Sequence, residues 1–279
     1  MPSPSTHDVL QSHYEPNHRI AAAHGFHAYN CGYAPLNAPG TFTDFQRELV
    51  WRLLGNTTIP HDATVLDVGC GIGGPTRWIA QKFPAARVIG IEFLADSVRR
   101  ARDAADPSIA FIQGDAQRIP FRDDSVDLLF NLESALHYPD KAAFLRECAR
   151  VLRPGGTLCL GDITAVHKRF LAPIAWLNRA ASSFNGAVLL WQAADYFHHL
   201  RETGFEIRSH ENAAPAIARS LAQGLHDIAK RGWSAARGFR GRFFYLVALE
   251  RMLRFGLLGY HLFQATLPPS PVRNPLESP

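Results

Sequence analysis

The chain has 279 residues, 47% hydrophobic and 19% charged, a balance that supports a buried core and argues against a disordered or fibrous protein. Its net charge of +4 comes without a dense basic run, so electrostatics gives no reason to expect a nucleic-acid partner. The four cysteines, Cys31, Cys70, Cys148 and Cys159, show no CxxC or other metal-ligand spacing; a reducing cytoplasmic setting and a metal-free site are expected.

In chain order, residues 1–18 read as mobile, and they hold no basic stretch followed by an apolar one, so no signal peptide is expected. Residues 19–59 carry helical spacing in FTDFQRELVWRLL, where Phe42, Phe45, Leu49 and Leu53 recur on one face. The pattern then changes. ATVLDVG, ARVIGIEF, IAFIQGD, SVDLLFN and GTLCLGDI are short apolar runs, and helical stretches such as PTRWIAQKF, with Pro75 at its first turn, fall between them. Alternating strands and helices predict right-handed βαβ units and a parallel sheet covered on both faces. After Asp162 the rhythm breaks. Residues 166–203 read as helical, GFEIRSHENAA as a sixth strand, 215–257 as helical again and LGYHLFQATL as a seventh strand. The apolar run 243–263 holds Glu250, Arg251 and Arg254, so a half-buried helix leading into a strand fits it better than a membrane span; a membrane-surface helix is the alternative. The Pro-rich end, 268–279, is expected to be disordered.

The loop after the first strand, LDVGCGIGGP, contains Gly69, Gly71, Gly73 and Gly74. Glycines there let the backbone approach a ligand at a helix N-terminus. The spacing satisfies GxGxxG, which fits a dinucleotide or an adenosyl ligand, or a tight turn with no ligand at all. Glu92, closing the second run, can accept hydrogen bonds from two ribose hydroxyls, and Asp115, just after the third, can meet an adenine amino group.

Taken together, VLDVGCGIGG, IGIEF, GDAQRIPF, VDLLFNLESALHY and RVLRPGGTLCLGD resemble the class I S-adenosylmethionine-dependent methyltransferases over residues 60–163. ESALHYPD, FLRECARVLRPGG and NCGY are similar to the small-molecule branch, with its natural-product O-methyltransferases, tocopherol and sterol methyltransferases and glycine and sarcosine N-methyltransferases. The resemblance implies an α/β fold: a doubly wound seven-stranded sheet, mostly parallel with its last strand antiparallel, and helical lid insertions. It implies a lid segment at 1–59, an S-adenosylmethionine-binding core at 60–163, and the remaining strands with inserted lid helices at 164–267. It also implies S-adenosylmethionine as the cofactor, held by Asp67, Gly69, Gly71, Gly73, Glu92, Phe93, Asp115, Ala116, Asn131 and Tyr33. Many relatives carry Trp where this chain has Ala34, which weakens the carry-over at the N-terminal contacts. No Asn- or Asp-Pro-Pro-aromatic motif follows the fourth strand, so nucleic-acid and protein substrates lose ground to a small molecule. Whether the chain works alone or as a homodimer is open.

NLESALHYPD, at the carboxyl edge of the sheet, is the richest polar loop. Methyl transfer to a hydroxyl needs a base, and His137 is placed for it; its alternative role is to cap the next helix. Asp162 could orient that imidazole or an acceptor hydroxyl, or cap a segment. Glu133 and Tyr29 are candidate substrate contacts, or loop and packing residues. Phe170, Trp176, Phe184, Trp191 and Phe197 suggest an apolar acceptor, although packing on the sheet would also account for them. O-methylation therefore leads, C- and N-methylation follow, and a non-catalytic binder of this fold or an NAD oxidoreductase are the competing classes.

Overall fold

The computed structural model describes residues 10, 11, 14, 28–104, 106–167, 169, 188–230 and 240–269. Most of the N-terminal segment, the C-terminal tail from residue 270, and Phe170, Trp176 and Phe184 lie outside the described residues. Seven strands form one sheet: β1 (Thr64–Val68), β2 (Arg87–Glu92), β3 (Ala110–Gln113), β4 (Val126–Leu132), β5 (Leu152–Ala165), β6 (Glu206–Asn212) and β7 (Leu258–Thr266). Their order is β3-β2-β1-β4-β5-β7-β6. The first five run parallel, and β7 lies antiparallel to both β5 and β6, as the resemblance implied.

The helices α1 (Phe42–Leu54), α2 (Gly74–Lys82), α3 (Ala95–Asp103), α4 (Lys141–Val151), α5 (Ala193–Glu202), α6 (Ala214–Lys230) and α7 (Arg240–Arg254) complete the described fold. Thr41 starts α1 through a capping box: its hydroxyl takes the Asp44 amide at 3.2 Å, and the Asp44 carboxylate takes the Thr41 amide at 3.0 Å. Phe45, Leu49 and Leu53 then fall on the buried face, as their spacing predicts. Leu49 and Leu53 are almost fully buried, so each contributes about 1.5–3 kcal/mol of transfer free energy.

The sheet is apolar on both faces. Val65, Leu128, Phe130 and Cys159 face one core with α1, α6 and α7. Leu66, Leu129, Leu158 and Leu160 face the other with α4 and α5. Adjacent strand residues thus enter different cores, as period-two alternation requires.

Two expectations need correction. The fifth strand begins at Leu152, not at Gly156, because Leu152 pairs with Val126 before the chain bends at Gly155, where φ is +83°. Of the 166–203 stretch read as helical, 168 and 170–187 lie outside the described residues; residues 188–192 are irregular, and a helix runs Ala193–Glu202. The 243–263 run resolves into the end of α7, a turn at Gly256 (φ +68°) and β7. No helix among the described residues is long and apolar enough to cross a membrane.

Candidate active site

Because β1, β2, β3 and β4 run parallel, their carboxyl ends lie along one edge, and chain order reverses between β1 and β4. The loops leaving those ends surround a cavity of about 380 Å³. One end of it is built by the core of the sheet. Gly69 (φ +76°) and Gly71 (φ +56°) both line it in the left-handed backbone region. A Cβ on Gly69 would fall 1.8 Å from Ser134 Oγ, so a side chain there would break the wall. A Cβ on Gly71 would instead project across the cavity to 3.6 Å from the Tyr29 ring. The glycine thus keeps open a cradle that a side chain would fill.

Glu92 borders the same end. Its Oε2 accepts the Gly71 amide at 3.0 Å and its Oε1 the Leu94 amide at 2.9 Å. Burial raises its pKa and these backbone donors oppose the rise. Phe93, Asp115 and Ala116 also line the cavity. Asp115 Oδ1 accepts the Gln117 amide at 2.8 Å, which fixes the carboxylate at the wall. A cradle of bare backbone between two acidic acceptors fits an adenosine with free ribose hydroxyls and an exocyclic amine, so these residues can hold S-adenosylmethionine.

The other part of the lining is assembled from distant parts of the chain. His137 sits in the one-turn 3-10 helix Ala135–His137, and its Nε2 lies 3.0 Å from the Tyr14 hydroxyl. Tyr29 packs 5.9 Å from Tyr14. Glu133 takes a left-handed backbone (φ +51°), and its Oε1 accepts both the Cys31 amide at 2.8 Å and the Tyr260 hydroxyl at 2.7 Å. Cys31 Sγ lies 3.2 Å from Oε2. Burial lifts the Glu133 pKa to about 7, against those donors, and burial also pushes the Cys31 thiol up. Ile163, Tyr245, Leu246 and Leu249 supply an apolar wall.

Five expected site residues do not line the cavity. Asp67 alternates away from Val68, and its Oδ2 accepts the Thr76 hydroxyl at 2.6 Å, tying β1 to α2; burial lifts its pKa to about 7. Gly73 serves packing, since a Cβ there would lie 2.6 Å from the Phe111 ring. Asn131 Nδ2 donates to the Val68 carbonyl at 2.8 Å and the Tyr138 hydroxyl at 2.9 Å. The Tyr33 hydroxyl donates to Glu211 at 3.0 Å, and Arg52 lies over its ring. Asp162 has the strand parity of Leu158 and Leu160, so it faces α5, where its Oδ2 accepts the Tyr196 hydroxyl at 2.5 Å; its neighbour Ile163 takes the cavity face. Trp191 and Phe197 also face away, stacked on His199 and packed on Phe263.

Sequence reading did not find Tyr14, Cys31, Gln117, Ile163, Tyr245 or Leu249. Ile163 follows from alternation once Asp162 is placed, and Tyr245 and Leu249 share a helical face four residues apart; nothing in the pattern marked Tyr14. Among the described residues, His198, His199 and Glu202 bring their ligand atoms within 4.8 Å of one another on α5, outside the cavity.

A pattern for a methyltransferase domain matches residues 66–160. The 27-O-demethylrifamycin SV methyltransferase of Amycolatopsis mediterranei (strain S699) is 32% identical over 242 residues, 82% of this chain and 86% of that protein. The chloroplastic tocopherol O-methyltransferase of Arabidopsis thaliana is 38% identical over 133 residues, 46% of this chain but only 34% of that protein. The crystal structure of the mycolic acid cyclopropane synthase CmaA1 with SAH and CTAB superposes with a TM-score of 0.81 at 17% identity, covering 95% of this chain and 99% of that one. The chain belongs to the class I S-adenosylmethionine-dependent methyltransferases. Within that class it is a small-molecule methyltransferase, and S-adenosylmethionine is its methyl donor.

Proposed function

We propose that this enzyme methylates a hydroxyl of a small, partly apolar metabolite, with His137 as the general base. The observation that carries the reading is His137 Nε2 on the cavity wall, 3.0 Å from the Tyr14 hydroxyl, beside an apolar surface of Leu136, Ile163, Tyr245 and Leu249. The names of the rifamycin and tocopherol relatives point the same way, toward methylation on oxygen. The donor, when bound, supplies an activated methyl group on a sulfonium. Glu92 would accept from its ribose hydroxyls and Asp115 from its adenine amine, while the backbone of Gly69 and Gly71 runs alongside. Holding the acceptor against that methyl group contributes by orientation alone. The acceptor's O–H proton passes to the Tyr14 oxygen as Tyr14 gives its own proton to His137 Nε2, while the acceptor oxygen gains the methyl group and the S–C bond pair stays with the donor sulfur. Helix α7, whose Tyr245, Leu246 and Leu249 reach the cavity, covers the acceptor.

Acceptor screening with labelled S-adenosylmethionine, followed by His137→Ala on the product found, tests this. The variant should lose roughly 10²- to 10⁴-fold in kcat with cofactor affinity nearly unchanged. The wild type should also lose rate at acid pH as the imidazole protonates. One observation favours a second reading: Glu133, an acid on the cavity wall with a pKa of about 7, could support a developing cation in C- or N-methylation. In that case His137→Ala would cost little, and Glu133→Gln would carry the large loss.

A further inference from the structure

Lys141, the first residue of α4, is 2% exposed. A cation at a helix N-terminus opposes the helix dipole, and burying it adds a desolvation penalty; its pKa is lowered to about 8 by that burial. Its ammonium donates to the Leu189 carbonyl and lies 6.0 Å from the Trp191 ring centroid. Leu189 in turn donates its amide to the Leu136 carbonyl at 2.7 Å. The Leu136 amide donates to Asp162, whose other partners are the Tyr196 hydroxyl at 2.5 Å and the Ile163 amide at 3.0 Å. The Lys141 and Asp162 charges favour one another through space. The Leu136 amide is therefore held by the buried Asp162, and its carbonyl by the exposed Leu189, whose own carbonyl is held by the buried Lys141. Leu136 directly precedes His137, whose own amide donates to the Ser134 carbonyl at 3.0 Å.

We propose that Lys141, Asp162 and Tyr196 form a positioning unit that fixes the Leu136–His137 peptide, and through it the direction of the His137 ring in the cavity. Asp162 thus acts on the histidine through the backbone, without touching the imidazole. A merely structural reading fits less well. A buried lysine bonded to a carbonyl is costly, and an apolar residue of similar length would pack there as well or better. What such a residue lacks is a donor for the Leu189 carbonyl, and with it control over the amide that holds Leu136.

This inference rests on His137 as base, and the test separates the two. Lys141→Met keeps the length and removes the charge. It should lower kcat roughly 10-fold, as small misplacements of a catalytic group do. A lower Tm alone would report only the lost carbonyl donor and the unpaired Asp162, so the kcat of the folded variant is the deciding readout. S-adenosylmethionine affinity by calorimetry should stay within about twofold, because the unit does not touch the donor end. In a His137→Ala background the same substitution should cost less than about twofold, since it acts only through the ring. Tyr196→Phe, which leaves the lysine in place, should show the same pattern at smaller size and covers the case of a misfolded Lys141 variant. If His137→Ala is large while Lys141→Met and Tyr196→Phe leave kcat unchanged, or act equally in both backgrounds, the positioning unit is overturned and the base stands. If His137→Ala is itself silent, the base falls and this inference with it.

Discussion

The two ends of the cavity are built by different means. At the donor end the decisive bonds join residues close in sequence: Gln117 to Asp115, Leu94 to Glu92, and Gly71 to Glu92 across 21 positions. At the acceptor end they span the chain: Cys31 to Glu133 over 102 positions, Tyr14 to His137 over 123, and Tyr260 to Glu133 over 127. The donor end needs only the sheet edge, whose loops are set by adjacent strands. The acceptor end needs the N-terminal segment, α7 and β7 all in place. One fold can therefore keep a fixed donor site while its acceptor site is remade by changes far apart in the sequence.

The sharpest way to break this contrast is Gly71→Val. A β-branched residue at φ +56° is strained, and its Cβ enters the cradle facing Tyr29. S-adenosylmethionine affinity should fall by roughly 10²-fold or more in calorimetry. Gly155→Ala separates strain from ligand space. Its φ is +83°, yet an added Cβ there would meet nothing within 4 Å. That variant should lose about 1 kcal/mol of stability and no cofactor affinity. Equal losses of affinity in both variants would mean that backbone strain, and not the cradle, explains the first.

Glu92→Ala comes next. It removes the acceptor for the Gly71 and Leu94 amides as well as the acid offered to the ligand, so affinity should fall about 10- to 100-fold. At the other end Glu133→Gln keeps one acceptor oxygen for the Cys31 amide and Tyr260 but loses the geometry at the Cys31 thiol. Under the O-methylation reading it should raise the acceptor KM several-fold and leave cofactor affinity within about twofold. A change in cofactor affinity as large as that of Glu92→Ala would erase the distinction between the ends.

The same contrast explains what the sequence could tell. That Gly69, Gly71, Glu92 and Asp115 would line the cavity was legible because each sits at or just after a strand end, and a strand end fixes which way the chain turns. That Asp67, Asn131 and Asp162 do not line the cavity was not legible, because they lie in strands buried on both faces. There the apolar run hides the alternation that says which core a side chain enters. Tyr33 lies off the cavity, two positions beyond Cys31, in a segment with no period to read. The acceptor wall from α7 was illegible for a further reason. Tyr245 and Leu249 look like any packed helical face until the helix is docked.

The smallest expected effect is one on which the two ends should agree. Asp67 beside the donor end, Glu133 at the acceptor end and Asp162 behind it have pKa values raised to about 7, 7 and 6, in each case chiefly by burial. The folded chain therefore keeps protons that the unfolded chain releases near pH 4, and between those limits stability falls as pH rises. His261 works the other way. Burial and the neighbouring His210 lower its pKa to about 4, so the unfolded chain binds the extra proton up to about pH 6.5 and stability rises with pH. Three carboxylates outweigh this histidine, and only the carboxylates still act between pH 6.5 and 7. The Tm should thus be higher at pH 5.5 than at pH 7.5 by a few degrees, since ~1 kcal/mol moves the Tm of a chain of this size by about 2–4 °C. Asp67→Asn keeps an acceptor for Thr76 and removes the titration, so it should flatten the decline. Glu133→Gln should flatten it by a similar amount, and His261→Phe should steepen it. A Tm that climbs from pH 5.5 to 7.5 in the wild type, or Asp67→Asn and Glu133→Gln profiles parallel to it, would mean that these acids are ionised and solvated in the folded protein.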